Sequence, residues 1–339
     1  MRKTLIAALV ALAAAGLAAC GAKQEPTGKT AAQTINLDLD FYVNPDHAGI
    51  YTALQSGYFK AAGLDVKPHV PSDPSAPIKQ VAAGRADLAI SYEPEVLLAR
   101  KQGLDVRAVA AIVKEPLTTL ISLPSAGIAQ PSDLRGKTVA TAGIPYQQDY
   151  LNAILDKAGV PTDSVGVANV GLNLLPALLG GSADAILGGF QNIEGVDLAQ
   201  RGVSPRVVGV EALGVPTYDE LVLVAKGDRV TKDPEPIRLF IEALQRGSRA
   251  AAADPAQATK TILAAGSGLD PKLTAAEMQA TLPLLAQAPD PNNPQPYGYM
   301  DPAQWETFAG FLVANGALDS VPPINEALTD SLLPPLPRH

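Results

Sequence analysis

The chain has 339 residues, is 47% hydrophobic and 18% charged, and carries a formal net charge of −8. That balance is globular and long enough for two domains or one two-lobed unit. It offers no basic face for nucleic acid, and the Ala, Gly and Pro it is rich in follow no collagen-like or low-complexity period.

The first 20 residues read as a processing segment. Arg2 and Lys3 give a basic start, residues 5–17 an apolar run, and Leu17–Ala18–Ala19–Cys20 the end. The run is short for a membrane span and has the layout of a secretory signal. LAAC resembles a bacterial lipobox, in which Cys20 becomes the first mature residue and carries lipid. An ordinary cleaved signal with an incidental cysteine is the alternative. Cys20 is the only cysteine, so the mature fold can hold no disulfide, zinc–thiolate cluster or thiol nucleophile. Residues 21–34 are small and polar and read as a flexible tether.

From there strands and helices alternate. Leu37, Leu39 and Phe41 fall on one side of a strand, Asp38, Asp40 and Tyr42 on the other. The alternation breaks at Asn44–Pro45–Asp46, which suits a helix cap, a first helical position and an acid in the first turn. A helix is expected over 45–56, strands over 64–70, 87–91 and 106–113, and helices over 78–83 and 93–102. The order then restarts, with strands over 117–123, 137–143, 165–170, 184–188, 207–210 and 220–225. Helices over 145–158, 174–179 and 193–200 lie between them. This is the pattern of βαβ units and mostly parallel sheets. Beyond Pro234 five amphipathic helices are expected, over 235–252, 255–265, 272–285, 302–314 and 325–333, with Trp305 and Phe308 buried.

Gly84–Arg85–Ala86–Asp87 is echoed by Gly181–Ser182–Ala183–Asp184. Each follows a short apolar helix and leads through a strand into a helix with an early acid, Glu95 or Glu194. The repeat points to two related lobes. The expected division is residues 35–117 and 226–339 for one lobe and 118–225 for the other, with hinges near 118–123 and 221–226.

Four strand-to-helix junctions concentrate polar and aromatic groups, and in open α/β sheets such junctions are where ligands sit. The first supplies Asp40, Tyr42, Asn44 and His47. The second supplies Ser91, Tyr92 and Glu95, the third Tyr146 and Gln147, and the fourth Asn192 and Glu194. Tyrosines, carboxylates and amides without Lys or Arg suit a neutral or mildly basic flat ligand, stacked on rings and donating N–H groups to acids. Taken singly, each tyrosine could edge a core and each acid could merely face a helix dipole. His47, His69 and His339 form no metal-binding spacing, so neither metal nor cofactor is expected. No GxSxG occurs. Asp40, Glu95 and Glu194 could pair as glycosidase acids, but nothing in their spacing requires it. A tether and two lobes fit capture better than turnover.

LDFYVNPDHAGIYTALQSGYFKAAGLDV, PSDPSAPIKQVAAGRADLAISYEPEV, DLRGKTVATAGIPY and GGFQNIEGVDLAQRG together carry a resemblance. Over about residues 35–245 the chain resembles the NMT1/THI5-like substrate-binding lipoproteins of the ThiY type. The resemblance implies a type II periplasmic-binding fold, two α/β lobes joined by two crossing strands. It implies a thiamine pyrimidine precursor as ligand, formylaminopyrimidine or its hydroxymethyl relative. The implied partners are the permease and ATPase subunits of an ABC importer and, through the N-terminal lipid, a membrane. The implied location is the outer face of the cytoplasmic membrane or the periplasm. Asp40, Tyr92 and Glu194 match the aminopyrimidine contacts, with His47, Tyr146 and Asn192 beside them. The yeast members are synthases with a Lys-x-x-x-His motif and a cysteine-rich motif. At the matching places this chain has Ser91 and Glu95, and Val215–Pro216–Thr217–Tyr218–Asp219 around the candidate Tyr218. The expectation is therefore a binding protein. A receptor of the same fold for riboflavin, a sulfonate or nitrate is the alternative, and a pyrimidine synthase or hydrolase the more distant one.

Overall fold

The computed structural model describes residues 32–287 and 294–336. The expected signal, the lipidation of Cys20 and most of the tether lie outside the described residues. The tether ends sooner than expected, because Gln33 already pairs with Leu64 in the first sheet.

Among the described residues ten strands form two five-stranded sheets. The first holds β1 (Gln33–Asp38), β2 (Leu64–His69), β3 (Leu88–Ser91), β4 (Val106–Val113) and β10 (Leu221–Lys226), in the order β2-β1-β3-β10-β4. The second holds β5 (Thr118–Ser122), β6 (Thr138–Thr141), β7 (Gly166–Asn169), β8 (Ala185–Phe190) and β9 (Arg206–Gly209), in the order β7-β6-β8-β5-β9. The two share one plan. Three strands pair in parallel, and a strand arriving from the other half is inserted antiparallel before the edge strand. Helices cover both, so β4 beyond Arg107 and β10 up to Lys226 are apolar and buried along their length.

The sequence echo has a physical cause. Asp87 and Asp184 each stand just before the third parallel strand of their sheet. Asp87 accepts from the Asn36 amide at 2.7 Å, and Asp184 accepts from the Thr138 amide at 2.8 Å. Each carboxylate thereby ties the entry of its own strand to the neighbouring parallel strand, β3 to the middle of β1 and β8 to the start of β6. Gly84 and Gly181 make the turns before them, at φ +69° and +71°, where a side chain would be strained.

β1 closes at Asp38, short of the alternation that runs to Tyr42. Its partner β2 ends at His69, whose carbonyl takes one last bond from Leu39, and the backbone then bends into the first junction. β10 belongs to the first sheet, so the expected border after residue 225 falls on the wrong side of this strand. The crossings lie earlier, at Lys114–Leu117 and in the stretch that ends at Glu220. Glu220 fastens them to each other: its carboxylate accepts from the Leu117 amide at 2.6 Å, the Thr118 amide at 2.8 Å, the Thr118 hydroxyl at 2.9 Å and the Tyr218 hydroxyl at 2.9 Å.

Of the five C-terminal helices, Glu235–Ala253, Pro255–Ala265, Pro271–Ala286 and Pro302–Ala314 form much as expected. The fifth is a single turn, Ile324–Ala327. It stops because Leu328 and Thr329 leave the helix to bridge Ala108 on the edge of β4, where the Thr329 amide donates to the Ala108 carbonyl at 3.0 Å. Trp305 and Phe308 are fully buried, and the Trp305 indole donates to Asp219 Oδ2 at 2.8 Å. The C-terminal helices thus grip the second crossing.

Candidate ligand-binding cleft

The first junction is built by a cap. Asn44 lies in extended backbone, and its side chain accepts from the Asp46 amide at 2.8 Å, which starts the short turn Pro45–His47. His47 Nδ1 faces the Asn44 amide at 3.3 Å and can only accept there, so the ring proton sits on Nε2 and is donated to Asp40 Oδ1 at 2.9 Å. Asp40 Oδ2 accepts from the Tyr92 hydroxyl at 3.0 Å. One buried carboxylate therefore locks the first junction to the second.

Tyr92 precedes the helix Glu93–Lys101 and packs its ring on Tyr146 of the third junction, centroid to centroid 5.4 Å. This contact joins the two halves. Tyr146 continues into Tyr150, Tyr218 and Phe308, a chain of tilted rings leading away into the core. Gln147 accepts from the Ala142 amide at 2.9 Å, and its amide end lies flat on Gly188. Gly188 has φ +110°, and a Cβ there would run into the Gln147 side chain.

At the fourth junction Glu194 Oε2 accepts from the Phe190 amide at 2.7 Å. Burial outweighs that bond and pushes the carboxyl up to about 7. Asn192 Nδ2 donates to Asp46 Oδ1 and to Thr281 Oγ1, each at 2.8 Å. Asp46 is also pushed up to about 7, chiefly by burial.

Between these junctions lies a narrow cleft whose free space, about 20 Å³, holds little more than one water. Asp40, Asn44, Tyr92, Tyr146, Gln147 and Glu194 line it, all six expected from the sequence. Among the described residues no Lys or Arg lines it. The other expected residues stand around it. His47 is fully buried behind Asp40, and Ser91 donates to Glu95 Oε2 at 2.5 Å within the first half. Burial, opposed by that bond, holds Glu95 at about 7. Tyr218 is spent on Glu220 and the ring chain at the crossing, beyond the cleft wall. Tyr42 and Asn192 sit at the acidic end beside Asp46 and Glu194.

Sequence reasoning missed two contributions. Phe41, placed by the alternation on the side opposite Asp40 and Tyr42, lines the cleft because the strand has already ended. The helix Pro271–Ala286 brings Thr281 to Asn192 and Glu277 near Glu194 and Asp46. The legible signal was polar: Thr274, Glu277 and Thr281 recur at helical spacing and are all buried.

The NMT1/THI5 like profile matches residues 44–258, more than half of the chain. The chain belongs to the NMT1/THI5 like family. A formylaminopyrimidine-binding protein of Halalkalibacterium halodurans is 33% identical over 290 residues, 85% of this chain and 87% of that one. A 4-amino-5-hydroxymethyl-2-methylpyrimidine phosphate synthase of Aspergillus parasiticus is 25% identical over 230 residues, 65% of this chain and 67% of that one. Among solved structures, the alkanesulfonate-binding protein of Xanthomonas axonopodis pv. citri, bound to MOPS, superposes with a TM-score of 0.67. It shares 17% identity and covers 87% of this chain and 98% of its own. This family member therefore has the fold of the periplasmic binding proteins, as its paired sheets and two crossings also show.

Proposed function

We propose that the protein is the solute-binding component of an ABC importer and captures a thiamine pyrimidine precursor between its two halves. The observation that carries this reading is the cleft itself. Asp40 and Glu194 offer carboxylate acceptors, Tyr92 and Tyr146 offer ring faces, and no cationic side chain among the described residues lines it. An aminopyrimidine presents N–H donors at its edge and a flat π face, the complement of that wall. The free space of about 20 Å³ is far below that of a ligand pocket, so on this reading the two halves part to admit even a single ring. A sulfonate or nitrate would meet carboxylates where it needs donors.

The binding role is also supported by the relative at 33% identity, whose name states formylaminopyrimidine binding. The synthases are more distant. The positions that match their Lys-x-x-x-His motif, Ser91 and Glu95, are bonded to each other and are not among the residues that line the cleft. The importer's permease and ATPase subunits are the partners this reading requires. Lipidation at Cys20 would hold the protein at the outer face of the cytoplasmic membrane or in the periplasm; no described helix is long and apolar enough to cross a membrane. The crossings at Lys114–Leu117 and before Glu220 would serve as the hinge.

Calorimetry with formylaminopyrimidine and hydroxymethylpyrimidine tests the reading. Saturable heat with at least one is expected, and no heat with either contradicts it.

A further inference from the structure

We propose that Glu93 and Asp219 share one buried proton, and that this proton is a pH-dependent latch on the second crossing. The proposal rests on the crossings serving as the hinge and is independent of which ligand the cleft takes.

Glu93 opens the helix Glu93–Lys101, one residue after Tyr92 of the cleft wall. Asp219 stands in the second crossing, one residue before Glu220. The two residues hold each other twice. The Asp219 amide donates to Glu93 Oε2 at 2.7 Å, and the Glu93 amide donates to the Asp219 carbonyl at 3.3 Å. The helix Pro302–Ala314 closes over them. Trp305 Nε1 donates to Asp219 Oδ2 at 2.8 Å, and Gln304 Nε2 reaches Glu93 Oε2 at 3.4 Å. Both acids are fully buried.

Each carboxyl thus has one oxygen bonded and one left over. Glu93 Oε1 and Asp219 Oδ1 are buried with no hydrogen-bond partner. Such orphans call for an explanation. A carboxylate brings acceptors only, whereas a protonated carboxyl brings one donor. A single proton, carried by one acid and donated to the other, satisfies both oxygens and removes the repulsion of two charges in a dry contact.

The surroundings supply no substitute. Lys114 of the first crossing acts on Asp219 from a distance and rests over the Tyr299 ring, 5.3 Å from its centroid. Asp301 before the helix Pro302–Ala314 and Asp330 near the C-terminus add negative charge. Tyr150, from the helix Pro145–Lys157, senses the Glu93 charge and stays a phenol. Glu220 is occupied by Leu117, Thr118 and Tyr218. Burial raises both acids above the ordinary carboxyl range, in Glu93 with help from the Asp219 charge. The pair therefore keeps a proton in mildly acidic solution and gives it up as the pH rises. Two anions are then left side by side without water. The contact that yields is the one between the crossing and the helix start, so the crossing loosens on the alkaline side.

Glu93→Gln and Asp219→Asn each put an amide N–H where the shared proton lies, and each keeps an oxygen for the Asp219 amide or for Trp305. Infrared difference spectra of the full chain at pH 6, wild type minus variant, should show the carbonyl band of one protonated carboxyl, with its deuterium shift, for both variants. The double variant should lose no further band. Hydrogen exchange of residues 215–220, corrected for the intrinsic pH dependence of amide exchange, should quicken by about tenfold from pH 6 to pH 9 in the wild type, the equivalent of one pKa unit. In either variant it should quicken by less than about threefold, about half that pKa unit. The wild-type exchange series needs no variant, and the two substitutions check each other's folding. A carboxyl band lost in neither variant, or in only one, overturns the shared proton. A crossing whose corrected exchange ignores pH, or responds equally in the wild type and both variants, overturns the latch.

Discussion

Asn192 Nδ2 stands 2.8 Å from Asp46 Oδ1, and the two residues follow strands of different sheets. The bond closes the cleft at its acidic end as the Tyr92–Tyr146 contact closes it at the aromatic end. Asn192→Ala should leave Asp46 buried without its donor and shift the free protein toward an open form. Small-angle X-ray scattering should show a larger radius of gyration in the unliganded variant, with ligand affinity down about tenfold, the scale of a hydrogen bond to a charged group. Equal radii and equal affinity would remove this bond from closure.

Glu194 tests the wall itself. Glu194→Ala should weaken ligand binding by more than about tenfold if the carboxylate meets buried N–H donors. Calorimetry on the folded variant reads it directly, and unchanged affinity would place the ligand elsewhere.

Glu220 tests the crossing. Its carboxylate serves two amides and two hydroxyls in a fully buried setting. Glu220→Ala strands those donors and should cost at least about 3 kcal/mol, since each buried unpaired group costs about 1–3 kcal/mol. The urea midpoint should fall accordingly. A loss below about 1 kcal/mol would mean that water or local rearrangement takes the carboxylate's place.

Gly188→Ala should damage binding and stability together. The residue needs φ +110°, and the new methyl would push Gln147 off the Ala142 amide. A drop in thermal midpoint with weaker ligand binding is expected, and a neutral outcome would show that the third and fourth junctions can separate freely.

Stability should fall as pH rises from mildly acidic to mildly alkaline. Asp46, Glu95, Glu194 and Glu220 sit at about 7 and Glu277 at about 8, raised mainly by burial. In the unfolded chain such groups titrate near about 4. The folded protein thus holds more protons between about 4 and 8, and its advantage is lost as they leave. The thermal midpoint should be higher at pH 5 than at pH 8, and Glu277→Gln should flatten the slope. A midpoint that rises over this interval would contradict the buried-acid assignment.

Much of this was legible because local chemistry and tertiary demand agree. Asn44–Pro45–Asp46 caps a turn wherever it stands, and here the turn also aims Asp40 and His47. The Gly84–Asp87 and Gly181–Asp184 echo was readable because both sheets need the same tie between neighbouring strands. The illegible parts depend on partners distant in sequence. Alternation carried β1 on to Tyr42, yet the strand stops where β2 stops pairing with it. β10 lies among the strands of the first sheet because of what it pairs with, which no local pattern states. Glu277 reads as one more polar residue on an outer helix until Thr281 is seen against Asn192.

The most direct test is a crystal structure of the protein grown with a saturating thiamine-type aminopyrimidine. The ring should lie between Tyr92 and Tyr146 on one side and Glu194 on the other, with an N–H group within hydrogen-bond distance of Glu194 or Asp40. A ring bound outside these walls, or a cleft still filled by its own side chains at saturation, would contradict the account.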